Sequence, residues 1–317
     1  MQPHGQYHRA DALVTGIHQV NGFHPGYRAV HALGRIYRGS FAASGDGAAL
    51  TRAAHFQPGS VVSATMRFSS ASSDPEAPPS PVTAMATKFY LDNGTVTDLI
   101  ALNIPAFPMA TPDDVLNAVT ANKDPDSMRA FLAANPKIAA AIKGLAAVPA
   151  PVSLAETAFH AIHTFWFENS ARERRAGRYH WEPEAGMSTQ PAADLTAQPN
   201  DALFTELEAR LEDGPVIFRL VLSLAGEGDD LLDPSTAWPE DRERVTLGRL
   251  TVRRRTSLEE IGDPIMLHDP TRTTDGIDTS DDPILAARRG IYETSAVNRG
   301  AGWKSRAAEA ATRSGAS

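Results

Sequence analysis

Apolar and polar positions change rhythm several times along this chain. In residues 9–20, RADALVTGIHQV, the apolar positions recur at helical spacing and read as a short amphipathic helix, which the loop at Gly22, Pro25 and Gly26 closes. From Arg28 to about Leu102, short runs of apolar and β-branched residues take over: GRIYRGSF, GSVVSATMRFS, VTAMATKFYL and TVTDLIAL. Each run is bounded by Gly, Asp, Asn or Pro, the punctuation of antiparallel strands and hairpins. The sharpest turn signal is Asn93-Gly94, between KFYLD and TVTDLIAL. Residues 111–147 return to helical spacing in Ala-rich segments such as DDVLNAVTA and PKIAAAIKGLAA, separated by Pro and Asp. Strand-like runs resume at HAIHTFWFEN, GRYHWEP, PVIFRLVLSLA and RVTLGRLTVRRR, with the helix DALFTELEARLED interposed. After Ser257 the chain is loop-rich, punctuated by Pro264, Pro270, Gly276 and Pro283, until a last helix that carries Tyr292. The final residues, SRAAEAATRSGAS, are expected to fray.

Seven or eight strands, a helical insertion and no internal repeat predict an α+β fold built on an antiparallel β-barrel, with inserted and C-terminal helices. The expected organisation is one domain over 1–317: a helix at 9–20, a core at about 22–300 and a tail at 301–317. At 42% hydrophobic residues the chain can bury a large core. A net charge of −8 argues against a nucleic-acid partner, whose phosphates call for cations. The absence of cysteine excludes disulfides, thiolate catalysis, thiolate-ligated haem and iron–sulfur clusters. No segment approaches the roughly 20 apolar residues that span a bilayer, and the start MQPHGQYHRADALV lacks the pattern of a signal peptide. A soluble, cytoplasmic protein with no membrane partner is therefore expected.

The candidate chemistry begins with Arg288 and Tyr292. Four residues apart on a helix, they share one face a single turn apart. A phenol ionises only near pH 10 unless something stabilises its anion, and a guanidinium one turn away is suited to that. By itself such a pair is most often a solvated helix face, so the neighbouring segments decide its meaning.

Five segments, read in order, resemble the haem-dependent catalase family: RAVHALG, MRFSS, KFYLDNGTVTDLIALNIPAF, AIHTFWFEN and GIDTSDDPILAARRGIYETSAVNR. The resemblance runs roughly from Gly22 to Arg299. It implies a haem b cofactor with Tyr292 as the axial iron ligand and Arg288 beside it. His31 would lie over the opposite face and move the peroxide proton, a task that suits a neutral imidazole. Ser69 would orient His31, and Asn103 would hold peroxide as a neutral amide. Arg28, Arg67 and Arg299 would meet the two haem carboxylates, with Val30 and Phe107 packed near the haem. His163 would sit on the tyrosine side near Arg288, and Asp282 would orient the Arg288 guanidinium.

Departures from the family pattern refine this expectation. The chain lacks the long arms and C-terminal helical domain of ordinary catalases, so it looks like the minimal branch, the catalase-related peroxidases. Ala84 and Met85 replace the family's usual glycine and phenylalanine, and Leu102 replaces one of two tandem asparagines. SLAETAFHAI stands where many small-subunit catalases bind a dinucleotide phosphate, so NADPH is not predicted. The resemblance thus implies an enzyme in which hydrogen peroxide or an organic hydroperoxide oxidises the iron and small organic donors reduce it again, with weak catalase activity. The alternatives are a small true catalase, an oxidase specialised for one metabolite, and a haem sensor without turnover. A homo-oligomer, taken as a dimer, is the expected assembly.

Overall fold

The computed structural model describes residues 3–300, so the expected fraying of 301–317 lies outside the described residues. Eight strands form the barrel: β1 (Gly34–Ala43), β2 (Val61–Ser70), β3 (Thr83–Tyr90), β4 (Val96–Leu102), β5 (Phe159–His160), β6 (Arg174–Pro183), β7 (Val216–Leu224) and β8 (Arg244–Thr256). Every neighbouring pair is antiparallel. The ring closes because β6 pairs with β7 on one edge and β5 on the other, while β1 pairs with β8 across some 200 residues. Closure removes most of the free edge, the usual weakness of a sheet, although β4 meets β5 only at Leu102. The α+β barrel expected from the sequence is therefore the observed architecture. Leu91 and Thr95 close the β3–β4 hairpin over Asn93-Gly94, with Gly94 at φ 80°.

Inward-facing side chains fill the ring. Tyr37, Phe41, Met66, Phe68, Met85, Phe159, Trp181, Phe218, Leu220 and Leu250 are fully buried there. Gly39 permits the close approach of β1 and β8, because a Cβ on it would run into the Thr251 carbonyl at a local register shift.

The helices lie outside. The first is α1 (Pro3–Asn21), longer than the expected 9–20. Three helices follow β4: α2 (Pro112–Ala121), α3 (Pro125–Ala134) and α4 (Pro136–Ala146). A capping box between Thr111 and Asp114 starts α2. Before β7 comes α5 (Ala202–Asp213), and α6 (Pro283–Asn298) ends the described chain. Leu13, Val14 and Ile17 of α1 bury with Ala29 in a second apolar cluster, against Val115, Leu116 and Val119 of α2 and Ile291 of α6. That cluster fixes the segment that carries Arg28 and His31.

Two features depart from the sequence reading. HAIHTFWFEN is not one strand: it breaks between β5 and a second run, Phe165–Glu168, that pairs with β6 and with the short strand Ile277–Thr279. His163 sits in the break. The loop after β8 is also tied down, since Asp98 accepts from Lys88 Nζ at 2.7 Å, from the Asp269 N–H at 2.9 Å and from Arg272 at 3.0 Å. Lys88 and Asp98 are both buried, so each needs the other: removing one would leave an uncompensated charge inside the protein.

Candidate active site

Helix α6 is started by Asp282, whose carboxylate accepts from the backbone N–H groups of Ile284 and Leu285 at 2.8 and 3.2 Å, with Pro283 in the first helical position. The other Asp282 oxygen lies 2.6 Å from His163 Nδ1. Nε2 of the same ring lies 2.9 Å from an Arg288 guanidinium nitrogen, and Arg288 donates in turn to the Tyr292 hydroxyl at 2.5 Å. A guanidinium can only donate, so His163 Nε2 must accept, and Nδ1 then carries the proton toward Asp282. Burial is the main influence on the ring and holds its pKa down at about 4, against the opposing pull of Asp282. The result is a single directed chain, Asp282–His163–Arg288–Tyr292, that ends on a phenolic oxygen. Asp282 reaches Arg288 through the His163 imidazole and through the helix start.

His31 stands at the opposite end of the sequence, in the loop that enters β1. Its backbone is left-handed, at φ 57°, a conformation uncommon outside glycine although histidine tolerates it better than most. The Ala32 N–H donates to the Ser72 carbonyl at 2.8 Å, and Ala29 N–H to Ser295 Oγ of α6 at 3.4 Å, so the loop is anchored on both sides of the ring. Ser69 Oγ lies 3.2 Å from His31 Nδ1, which leaves Nε2 free. Desolvation holds the His31 pKa at about 3, helped by the positive charges of Arg67, Arg288 and Arg28. A neutral ring therefore faces the Arg288 end of the other chain.

Arg28, Arg67 and Arg299 lie near enough for charge to act between them, and burial lowers all three. Burial and the Arg299 charge lower Arg28 to about 10; burial and both other guanidiniums lower Arg67 further. Each is held by backbone carbonyls: Arg28 donates to Met266 O at 2.7 Å, Arg299 to Ile265 O at 2.8 Å, and Arg67 to His31 O at 2.9 Å. Gly34 makes room for the last of these, since a Cβ there would sit 2.6 Å from the Arg67 guanidinium. Among the described residues, none of the three forms an ion pair with a carboxylate, and Arg299 Nε is buried without a partner. Arg67 is buried and Arg28 and Arg299 are half-buried, and three such converging cations call for an anion.

The remaining candidates are less central. Asn103 accepts from the Thr83 N–H and donates to the Pro81 carbonyl, both at 2.8 Å, so its amide clamps the entry to β3 and keeps one N–H in reserve. Phe107 is half-buried and its N–H reaches the Pro234 carbonyl at 2.9 Å, while Val30 remains 41% exposed. The sequence reading missed Gly34, the Lys88–Asp98 pair and His268, a fully buried histidine discussed below. Only the close spacing of His31 and Gly34 could have hinted at the first.

Buried neutral histidines make the fold acid-sensitive. His55, 2% exposed, is held at about 3 by burial, His163 at about 4, and His268 well below the ordinary range. Below pH 6.5 the unfolded chain binds a proton at each ring while the native state does not. Stability is thus full above 6.5 and falls by about 1.4 kcal/mol per pH unit for each ring as pH drops toward 4. Urea midpoints should decrease markedly between pH 7 and pH 5; equal midpoints would contradict the burial of these rings in neutral form.

The catalase family model matches residues 25–306. A catalase-related peroxidase of Mycolicibacterium paratuberculosis is 36% identical over 92% of this chain and 96% of its own length. A second one, from Synechococcus elongatus, is 29% identical over 91% and 88%. A solved bacterial catalase superposes with a TM-score of 0.75 at 22% identity, covering 89% of this chain but only 59% of that one. Because the family match runs unbroken from before Arg28 to beyond Arg299, and a relative of nearly equal length shares a third of its residues, this chain belongs to the catalase family.

Proposed function

We propose that this protein is a haem b peroxidase that consumes hydrogen peroxide and oxidises small organic donors. The observation that carries the reading is the Asp282–His163–Arg288–Tyr292 chain, which delivers a permanently charged donor to a phenolic oxygen. Tyr292 would hold the iron, and Arg28, Arg67 and Arg299 would hold the two carboxylates of the porphyrin; three guanidiniums held in place by backbone carbonyls fit that anion. Bound haem supplies an iron that peroxide can oxidise by two electrons.

The chain supplies the rest. Arg288 donates a hydrogen bond to the Tyr292 oxygen, the atom that would hold the iron. His163, proton on Nδ1 toward Asp282, fixes the guanidinium in the position that serves Tyr292. On the opposite side, His31 donates its Nδ1 proton to Ser69 and presents Nε2 as a base. It takes the proton from one peroxide oxygen and returns it to the other, so that water can leave. Asn103 braces the wall beside His31, with only one N–H left for peroxide.

Donor oxidation is favoured over peroxide dismutation because the two relatives that this chain matches over most of both lengths are called catalase-related peroxidases. With peroxide and guaiacol supplied together, guaiacol oxidation should outpace oxygen release. The reverse ratio would make the protein a small catalase, and neither product would reject both.

A further inference from the structure

The loop after β8 does more than tie the barrel. Successive carbonyls of Ile265, Met266 and Leu267 accept from Arg299, Arg28 and Lys88, at 2.8, 2.7 and 2.9 Å. The next residue, His268, is 1% exposed, and neither of its ring nitrogens has a hydrogen-bond partner among the described residues. Burial holds its pKa well below the ordinary range, and the positive charges of Arg28, Lys88, Arg67 and Arg272 push the same way. A neutral imidazole carries one N–H and one lone pair. Around it, guanidinium N–H groups can serve the lone pair, but the N–H needs an acceptor that these cations cannot provide. Burial without one is costly, so a ligand acceptor is the simplest way to satisfy the ring. Two of the cations, Arg28 and Arg67, belong to the anion-holding trio, which points to a carboxylate as the acceptor.

We infer that His268 is a fourth carboxylate-binding group of the site, its ring N–H donating to the acid edge of the bound porphyrin beside Arg28 and Arg67. This rests on the haem reading given above and deepens it. The imidazole does no acid–base work in the reaction; it binds and orients the cofactor.

The test compares the rate at which holoprotein loses protohaem, or protohaem dimethyl ester, to excess apomyoglobin. His268→Phe should speed loss of the free acid about tenfold, equivalent to ~1.4 kcal/mol, and leave loss of the ester unchanged. His268→Gln, which keeps an N–H donor, should recover most of the retention. No acceleration, or equal acceleration for acid and ester, would overturn the role of His268. Wild-type protein that loses acid and ester equally fast would instead overturn the haem-carboxylate reading itself. A free organic acid is the other source of the same chemistry. In that case His268→Phe would leave haem loss unchanged and raise KM for 4-hydroxybenzoate but not for its methyl ester, which would overturn the assignment to the cofactor edge.

Discussion

Tyr292→Phe is expected to change the electronic spectrum of the holoprotein and to reduce haem retention at least about a hundredfold. Even partners that merely orient a metal ligand cost 10- to 100-fold when removed, and this change removes the ligand atom. The substitution deletes one oxygen and keeps the ring, and the contact of α6 with the α1–α2 cluster is made by Ile291, so circular dichroism should not change. Locally, the Arg288 donor loses an acceptor 2.5 Å away while its other contact, to His163, remains. A partly buried guanidinium nitrogen left unsatisfied adds a smaller penalty of about 1–3 kcal/mol to the stability of the helix start. The two effects separate experimentally. Spectrum and haem content report the ligand, and urea unfolding of the haem-free protein reports the guanidinium. A variant with an unchanged spectrum and full haem content would remove Tyr292 as ligand and, with it, the purpose of the Asp282–His163–Arg288 chain.

How legible the site was depends on how local its geometry is. Arg288 and Tyr292 could be paired from sequence because a helix fixes which side chains meet at a four-residue spacing. The barrel was legible for a related reason: period-two runs between turn residues survive as strands whatever they pair with. Pairing itself was not legible, since β1 finds β8 across some 200 residues and only closure of the ring decides it. HAIHTFWFEN reads as one strand, yet the break at His163 is what lets that ring leave the sheet and meet Asp282, 119 residues away. Asn103 shows the converse. Its place in a resembling motif was legible, while its two backbone partners, Thr83 and Pro81, are specified by no sequence pattern. His268 was invisible because nothing local marks it: its meaning comes from cations contributed by β2, β3 and the segments before β1 and after β8.

His31→Asn is expected to lower peroxide-dependent donor oxidation about 10²- to 10⁴-fold, the range for removal of a positioned acid–base group. Asparagine is the informative replacement because residue 31 has φ 57°, and Asn accepts the left-handed region more readily than Gln or Ala. The backbone can therefore stay in place, and with it the His31 carbonyl that holds Arg67 at 2.9 Å. Haem content should be preserved, which separates this variant from Tyr292→Phe. The wild-type pH profile carries an independent check. With its pKa held at about 3, His31 is neutral throughout pH 5–8, so the rate should be flat across that window wherever the fold is intact. An unshifted histidine would give a rate that falls by half near pH 6.5 as the base takes up a proton. Such a limb, in protein still folded at that pH, would mean that the base is an exposed histidine rather than one surrounded by Arg28, Arg67 and Arg288.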